Sequence, residues 1–243
     1  MTIEIREIDQ QFEKLCVLLQ SEQNYDTQTQ CNLLNEIADL DKNARFKLFS
    51  LLVEYYNKET QSINLIYEYV YELLLNSKDT TIINLLNNKF PNGVTSLKSE
   101  LSIDYKPLQK LLRTEKFQEA DQLTQCLLCK LSQISNNHSR SWLYFTDIPS
   151  LPSADLKTID RLWQVHSLGL FGISRQRDIW LKNDSNWEKF CSKIGWTLNA
   201  SNKRYPQEFT WDTTAPAAHL PLFNQRRGVQ VLKALFTHPA WSE

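Results

Sequence analysis

The chain is 243 residues long, 42% hydrophobic and 23% charged, enough to build a sizeable core and to exclude global disorder. Its net charge of −1 gives no bulk electrostatic hold on nucleic acid. The greasiest stretch, LIYEYVYELLL, is broken by Glu68 and Glu72 and falls short of the ~18 apolar residues of a membrane span, so a soluble chain is expected, at most peripheral to a membrane.

The chain begins MTIEIREIDQQFEKL, acidic and helical in pattern, unlike a signal or transit peptide. A protein made in the compartment where it works is expected. Five irregularly spaced cysteines argue against a disulfide framework and for reducing surroundings. Helical stripes follow in order: Phe12, Leu15 and Leu18/Leu19; Leu33/Leu34, Ile37 and Leu40; Phe46, Phe49, Leu52/Val53 and Tyr56. Residues 63–75 are apolar nearly all round, which predicts an enclosed helix, and a short fifth helix is expected over 80–88. The reading is a small antiparallel, repeat-like bundle serving as scaffold or docking module.

The first ninety residues hold no Trp, Pro or Gly, whereas all seven Trp lie at or beyond Trp142 and all eight Pro at or beyond Pro91. This shift, with the turn signal Pro91-Asn92-Gly93, divides the chain into an N-terminal bundle over 1–92 and a C-terminal core over 98–243. The second part opens as a helical hairpin, DYKPLQKLLRTEKF then FQEADQLTQCLLCKLSQ, followed by the polar loop SNNHSRS and the extended DIPSLP. Ser153 is placed to cap the next helix, whose buried face is Leu156, Ile159, Leu162/Trp163 and His166. Gly169 and Gly172 bracket an apolar Leu170-Phe171 turn, and Ser174 is placed to cap SRQRDIWLKN. NWEKFCSKIGW gives another helix with Trp187, Phe190, Cys191 and Ile194 inward and Gly195 at its stop. Residues 199–221 read as loop, and a last helix is expected from about Gln225 to His238. No strand alternation persists, so the fold class is all-α.

Little in this chain nominates catalysis. Cys126-x-x-Cys129 has no second ligand pair and lies in a helical stripe, which predicts core cysteines rather than a metal centre. The four His stand apart, with His166 near a helix C-terminus where the dipole favours an imidazolium. No phosphate-binding or nucleophile motif occurs, and neither an enzyme nor a protein-bound metal is expected. The unusual region is 196–228, a long segment that interleaves Trp196, Tyr205, Phe209, Trp211 and Phe223 with Lys203, Arg204, Arg226 and Arg227. Such a pattern can stack single-stranded nucleic acid or hold a flat, apolar anion. The near-zero net charge favours the second, with Trp163, Trp187 and Trp196 assigned to the core. A tetrapyrrole has that chemistry: an apolar macrocycle to bury and two propionates that match guanidinium.

DLKTIDRLWQVHSLGLFGISRQRDIW, WEKFCSKIGW and APAAHLPLFNQRRG, in that order, resemble the genomes-uncoupled-four family, porphyrin-binding regulators of magnesium chelatase in oxygenic phototrophs. The match runs from about Asp104 to Trp241. The resemblance implies a cupped helical pocket for protoporphyrin IX or Mg-protoporphyrin IX. It also implies a non-enzymatic activator that contacts the large porphyrin-binding H subunit of magnesium chelatase and no nucleic acid. A monomer is expected, in a plastid stroma or a cyanobacterial cytoplasm. In LPLFNQRRG the motif positions are Asn224 and Arg227, with Phe223 and Arg226 beside them. Relatives often carry a second Arg one turn on, where Gln230 stands here. The aromatic before a Pro in the flexible loop, more usually Trp, is Tyr205, and Phe209 follows. Two other classes remain: a helical protein–protein adaptor without a small ligand, and an enzyme acting on a tetrapyrrole or nucleotide.

Overall fold

The computed structural model describes residues 10, 12–15, 27–57, 65–91, 93–198, 201–222 and 229–242. The chain divides into two compact units, Met1–Ser96 and Leu97–Glu243. In the first, the stripes become α1 (Thr27–Leu40), α2 (Lys42–Asn57), α3 (Leu65–Leu75) and α4 (Thr80–Lys89). Carboxylates start two of them. Asp41 accepts the Ala44 N–H at 2.7 Å, and Asp79 accepts those of Thr81 and Ile82 at 3.0 and 3.3 Å. Leu34, Ile37, Leu48, Leu52, Val70, Leu74, Ile82 and Leu86 are fully buried together. Leu40 and Tyr56, read as stripe members, are instead exposed, because each closes its stripe at a helix C-terminus. Glu68, inside the apolar α3, is buried and accepts the Thr95 hydroxyl at 2.7 Å. Leu15 is buried; Leu18 and Leu19 lie outside the described residues.

The second unit holds α5 (Lys106–Arg113), α6 (Phe117–Asn136), a 3-10 turn (Phe145–Ser150), α7 (Ser153–Val165), α8 (Ile173–Lys182), α9 (Trp187–Lys193) and α10 (Gln230–Phe236). The loop expected over 199–221 begins as a two-residue hairpin, Thr197–Leu198 against Ser201–Asn202, and is otherwise irregular. Among the described residues the secondary structure is helical apart from this hairpin, and the fold class is all-α. The core centres on Trp163, fully buried, stacked on Phe117 at 6.1 Å and edge-on to Phe171 at 6.3 Å. Its indole N–H donates to the Thr124 hydroxyl at 3.0 Å, so burying it leaves no polar atom unpaired.

Both expected serine caps are absent. Ser153 is the first residue of α7, because Pro152 takes the extended cap position. Gly172 occupies the cap of α8, and the Ser174 N–H is instead satisfied by the buried Asp160 carboxylate of α7 at 2.9 Å. A β-carbon at Gly172 would lie 2.9 Å from that carboxylate with φ at +137°, so only glycine fits the turn. A long-range carboxylate thus caps α8 and ties two consecutive helices together. The expected last helix is described only from Gln230, residues 225–228 lying outside the described set.

Candidate functional site

One turn of α6 organises the C-terminal unit's irregular segments. Asp121 is fully buried; its carboxylate accepts the Leu222 N–H at 2.6 Å and the Gln125 amide at 3.2 Å. The Gln125 amide also donates to the Leu222 carbonyl at 3.2 Å, so the two side chains engage both polar groups of one distant residue. Burial pushes the Asp121 carboxyl up to about 8, against the two hydrogen bonds that favour its charge. Gln122, between them and exposed, has its amide beside the Tyr205 hydroxyl. Burial raises the Tyr205 phenol, Gln122 opposes the rise and the Asp121 charge adds to it.

The segment that reaches this turn is tightly sewn at its base. Gln176 of α8 donates to the carbonyls of Ala218 and Pro221 at 3.1 and 2.7 Å. Gly172 donates to Leu220 at 3.0 Å, and Ala218 donates back to Leu170 at 2.7 Å. The apolar turn between α7 and α8 is therefore the seat of the loop, and its glycine geometry matters to the site as well as to the fold. His219 is fully buried, with Nδ1 2.6 Å from the Ile194 carbonyl while Nε2 accepts the Thr210 N–H at 3.3 Å. Only the neutral ring with its proton on Nδ1 satisfies both contacts, and burial correspondingly pushes its pKa down.

At the tip, Tyr205 is 46% exposed and meets Trp211 edge-on at 5.8 Å. The Trp211 indole donates to the Pro206 carbonyl at 3.0 Å, which holds the tip in shape. Phe209 points the other way: only 7% exposed, it packs on His219 at 5.6 Å and belongs to the core. Trp163 and Trp196 are buried and Trp187 is half-buried against the same core. Gln230 opens α10 on the exposed side, next to the exposed Val229. Phe223, Asn224, Arg226 and Arg227 lie outside the described residues.

A second aromatic cluster faces solvent. Trp142, Tyr144 and Phe145 precede and begin the 3-10 turn, with Tyr144 49% and Phe145 50% exposed. Polar clamps hold them out. Asp147 accepts the Tyr144 N–H at 2.8 Å and pairs with Arg140 at 2.9 Å, and that guanidinium lies over the Tyr144 ring at 4.6 Å. Gln133 of α6 anchors the Arg140 carbonyl at 2.7 Å, and the 3-10 turn packs on both α6 and α10. Helical spacing passes over these three residues because they sit on no stripe. The readable signal is three aromatics in four residues directly after a hydrophilic loop. His138, Ser132 and Asp147 lie close here, yet Ser132 at 2.9 Å and Asp147 at 3.9 Å both approach the same His138 Nε2. The imidazole therefore cannot relay a proton from a serine to a carboxylate.

Two expectations are corrected. Cys126 is exposed and Cys129 half-buried, because the stripe of α6 that enters the core runs through Thr124, Leu127, Leu128 and Leu131. His166 caps the C-terminus of α7, but burial, with the Arg113 charge added, pushes its pKa down to about 3. Desolvation outweighs the helix dipole there, and the ring is neutral.

The profile of the GUN4-like family, the genomes-uncoupled-four group, matches residues 98–239. The ycf53 protein of Pyropia yezoensis is 51% identical over 172 residues, covering 71% of this chain and 72% of that protein. A protein of Arabidopsis thaliana named tetrapyrrole-binding protein, chloroplastic, is 35% identical over 144 residues, 56% of this chain and 54% of that protein. The solved structure of GUN4 from Chlamydomonas reinhardtii superposes with a TM-score of 0.54 at 38% identity, covering 60% of this chain and 95% of that one.

Proposed function

The chain belongs to the GUN4-like family, and on that premise we propose that its C-terminal unit binds a tetrapyrrole without transforming it. The observation that carries this reading is the convergence on α6. Exposed Tyr205 stands beside Gln122, the chain leading into the Asn224–Arg227 motif is gripped at Leu222, and the exposed Tyr144 and Phe145 stand on a turn packed against the same helix. A flat macrocycle gains about 25 cal/mol for each Å² of apolar surface it buries against such aromatics. Its propionates call for guanidinium at the rim, the role assigned to Arg227 with Arg226 beside it; Gln230 offers a weaker carboxamide contact. Phe209 contributes by backing Trp211 from within, ring centroids 6.4 Å apart. The name of the Arabidopsis relative supports the ligand class.

Within that class the proposed ligands are protoporphyrin IX and Mg-protoporphyrin IX, the metal arriving as part of the cargo. The proposed role is to activate magnesium chelatase through its large porphyrin-binding H subunit, in a plastid or a cyanobacterial cell. Titration of either pigment into the chain is expected to shift the pigment's absorption band while leaving it chemically intact. Consumption of the pigment would make the chain an enzyme, and an unmoved band would favour the adaptor. In the same titration Arg227→Ala is expected to weaken binding by about 1–3 kcal/mol; unchanged affinity rejects the propionate contact.

A further inference from the structure

Asp121 is an expensive residue for its place. Its side chain is fully buried, and its described hydrogen-bond partners are the Leu222 N–H and the Gln125 amide. A leucine there would suit the core better, since a buried carboxyl without a cation costs desolvation that amide donors only partly return. What the carboxyl does is hold a backbone 101 residues away. Gln125, one turn on, holds the carbonyl of the same residue. Gln122 adds nothing to the core, being exposed, and its amide lies beside the Tyr205 hydroxyl. Within about 6 Å of helix axis, then, three polar side chains refer two segments to one ruler. One segment is the base of the loop at Leu222; the other is its aromatic tip at Tyr205. Trp211 and Pro206 hold the tip's own shape but not its distance from α6.

We propose that Asp121, Gln122 and Gln125 are positioning residues that set the spacing of Tyr205 from the backbone at Leu222, and so determine how tightly and in what orientation a tetrapyrrole is held. None of the three needs to touch the pigment. The inference rests on the tetrapyrrole-binding reading and deepens it by naming the residues that shape the site from behind.

The test titrates protoporphyrin IX into the full chain and reads both affinity and the induced circular dichroism of the bound pigment. Asp121→Leu, which removes the acceptor while filling the space, is expected to bind at least tenfold more weakly and to alter the induced signal. Asp121→Asn, which keeps an oxygen for the Leu222 N–H, is expected to recover binding to within threefold of the native chain. Gln122→Ala, an exposed change, is expected to alter the induced signal and weaken binding at least threefold. If the native chain shifts the pigment band and Asp121→Leu does so with equal affinity and an equal induced signal, the inference fails alone. It also fails if Asp121→Asn is as weak as Asp121→Leu. Should Asp121→Leu not fold, Gln122→Ala decides, native affinity with a native signal overturning the proposal. A native chain that leaves the pigment spectrum unmoved overturns the binding reading and this inference with it.

Discussion

Burial raises the Asp121 carboxyl and lowers the His219 imidazole, and their effects on stability run in opposite directions with pH. His219, like His238, has a folded pKa below the ordinary histidine value, chiefly through desolvation. Below about pH 6.5 the unfolded chain takes up protons that the folded chain refuses, so the stability they allow is present above that pH and lost as pH falls. Asp121 is raised to about 8, so between the ordinary carboxyl value and 8 the folded chain holds a proton that the unfolded chain has released. Its contribution is present at low pH and lost as pH rises toward 8. Between about pH 6.5 and 8 the unfolded chain loses the last of its histidine protons, a change common to the native protein and Asp121→Asn, while Asp121 itself is still titrating. Urea unfolding is expected to show native stability falling by about 1.4 kcal/mol per pH unit in that window relative to Asp121→Asn. Parallel profiles for the two proteins would mean that the carboxyl is ionised at neutral pH.

At the scale of elements, α6 has two faces with separate duties. Its buried stripe builds the core through Thr124, Leu127, Leu128 and Leu131, and its outer strip carries Gln122 and, one turn on, Cys126. Cys126 therefore lies on the strip that Tyr205 approaches, which makes its thiol a reporter. Its alkylation by iodoacetamide is expected to slow severalfold when protoporphyrin IX is bound, with half-buried Cys129 reacting more slowly in either state. Equal rates with and without pigment would put the ligand elsewhere. Helix identity is readable from spacing because burial repeats with the helical period. The caps of α7 and α8 are not: Pro152 occupies the cap position of α7 while Glu100 accepts the Ala154 N–H at 3.2 Å, and Asp160 accepts the Ser174 N–H of α8, so a competition between a local hydroxyl and a carboxylate brought by packing is settled in three dimensions.

Over the whole molecule the near-zero net charge conceals a division. Residues 1–96 carry fourteen acidic and eight basic side chains, net −6, and residues 97–243 carry fourteen acidic and nineteen basic, net +5. Asp121, Asp155 and Asp160 of the second group are buried, so the surface of that unit is more basic still. A dianionic pigment meets an attractive field there. A fragment spanning 97–243 is expected to bind protoporphyrin IX within about twofold of the full chain's affinity. That affinity is expected to fall as salt rises from 50 to 500 mM, since exposed charges are screened. Salt-independent binding would assign the hold to apolar contact alone.

The stripes, the composition break near Pro91, the glycine-bracketed turn and the aromatic–cationic content of 196–228 are all present in the amino-acid order, because each depends on neighbours within a few residues or on composition alone. That order by itself determines an all-α chain and makes the region before the last helix the place to look for a flat anionic ligand. Tertiary structure alone decides that Phe209 turns inward while Tyr205 turns outward, that Cys126 faces solvent, and that Trp142, Tyr144 and Phe145 form a second aromatic surface. It alone brings Asp121 to Leu222. Each of these outcomes depends on which surfaces a distant segment covers. Local periodicity places a residue on a face of its own helix; it carries no information about what arrives on that face from a hundred residues away.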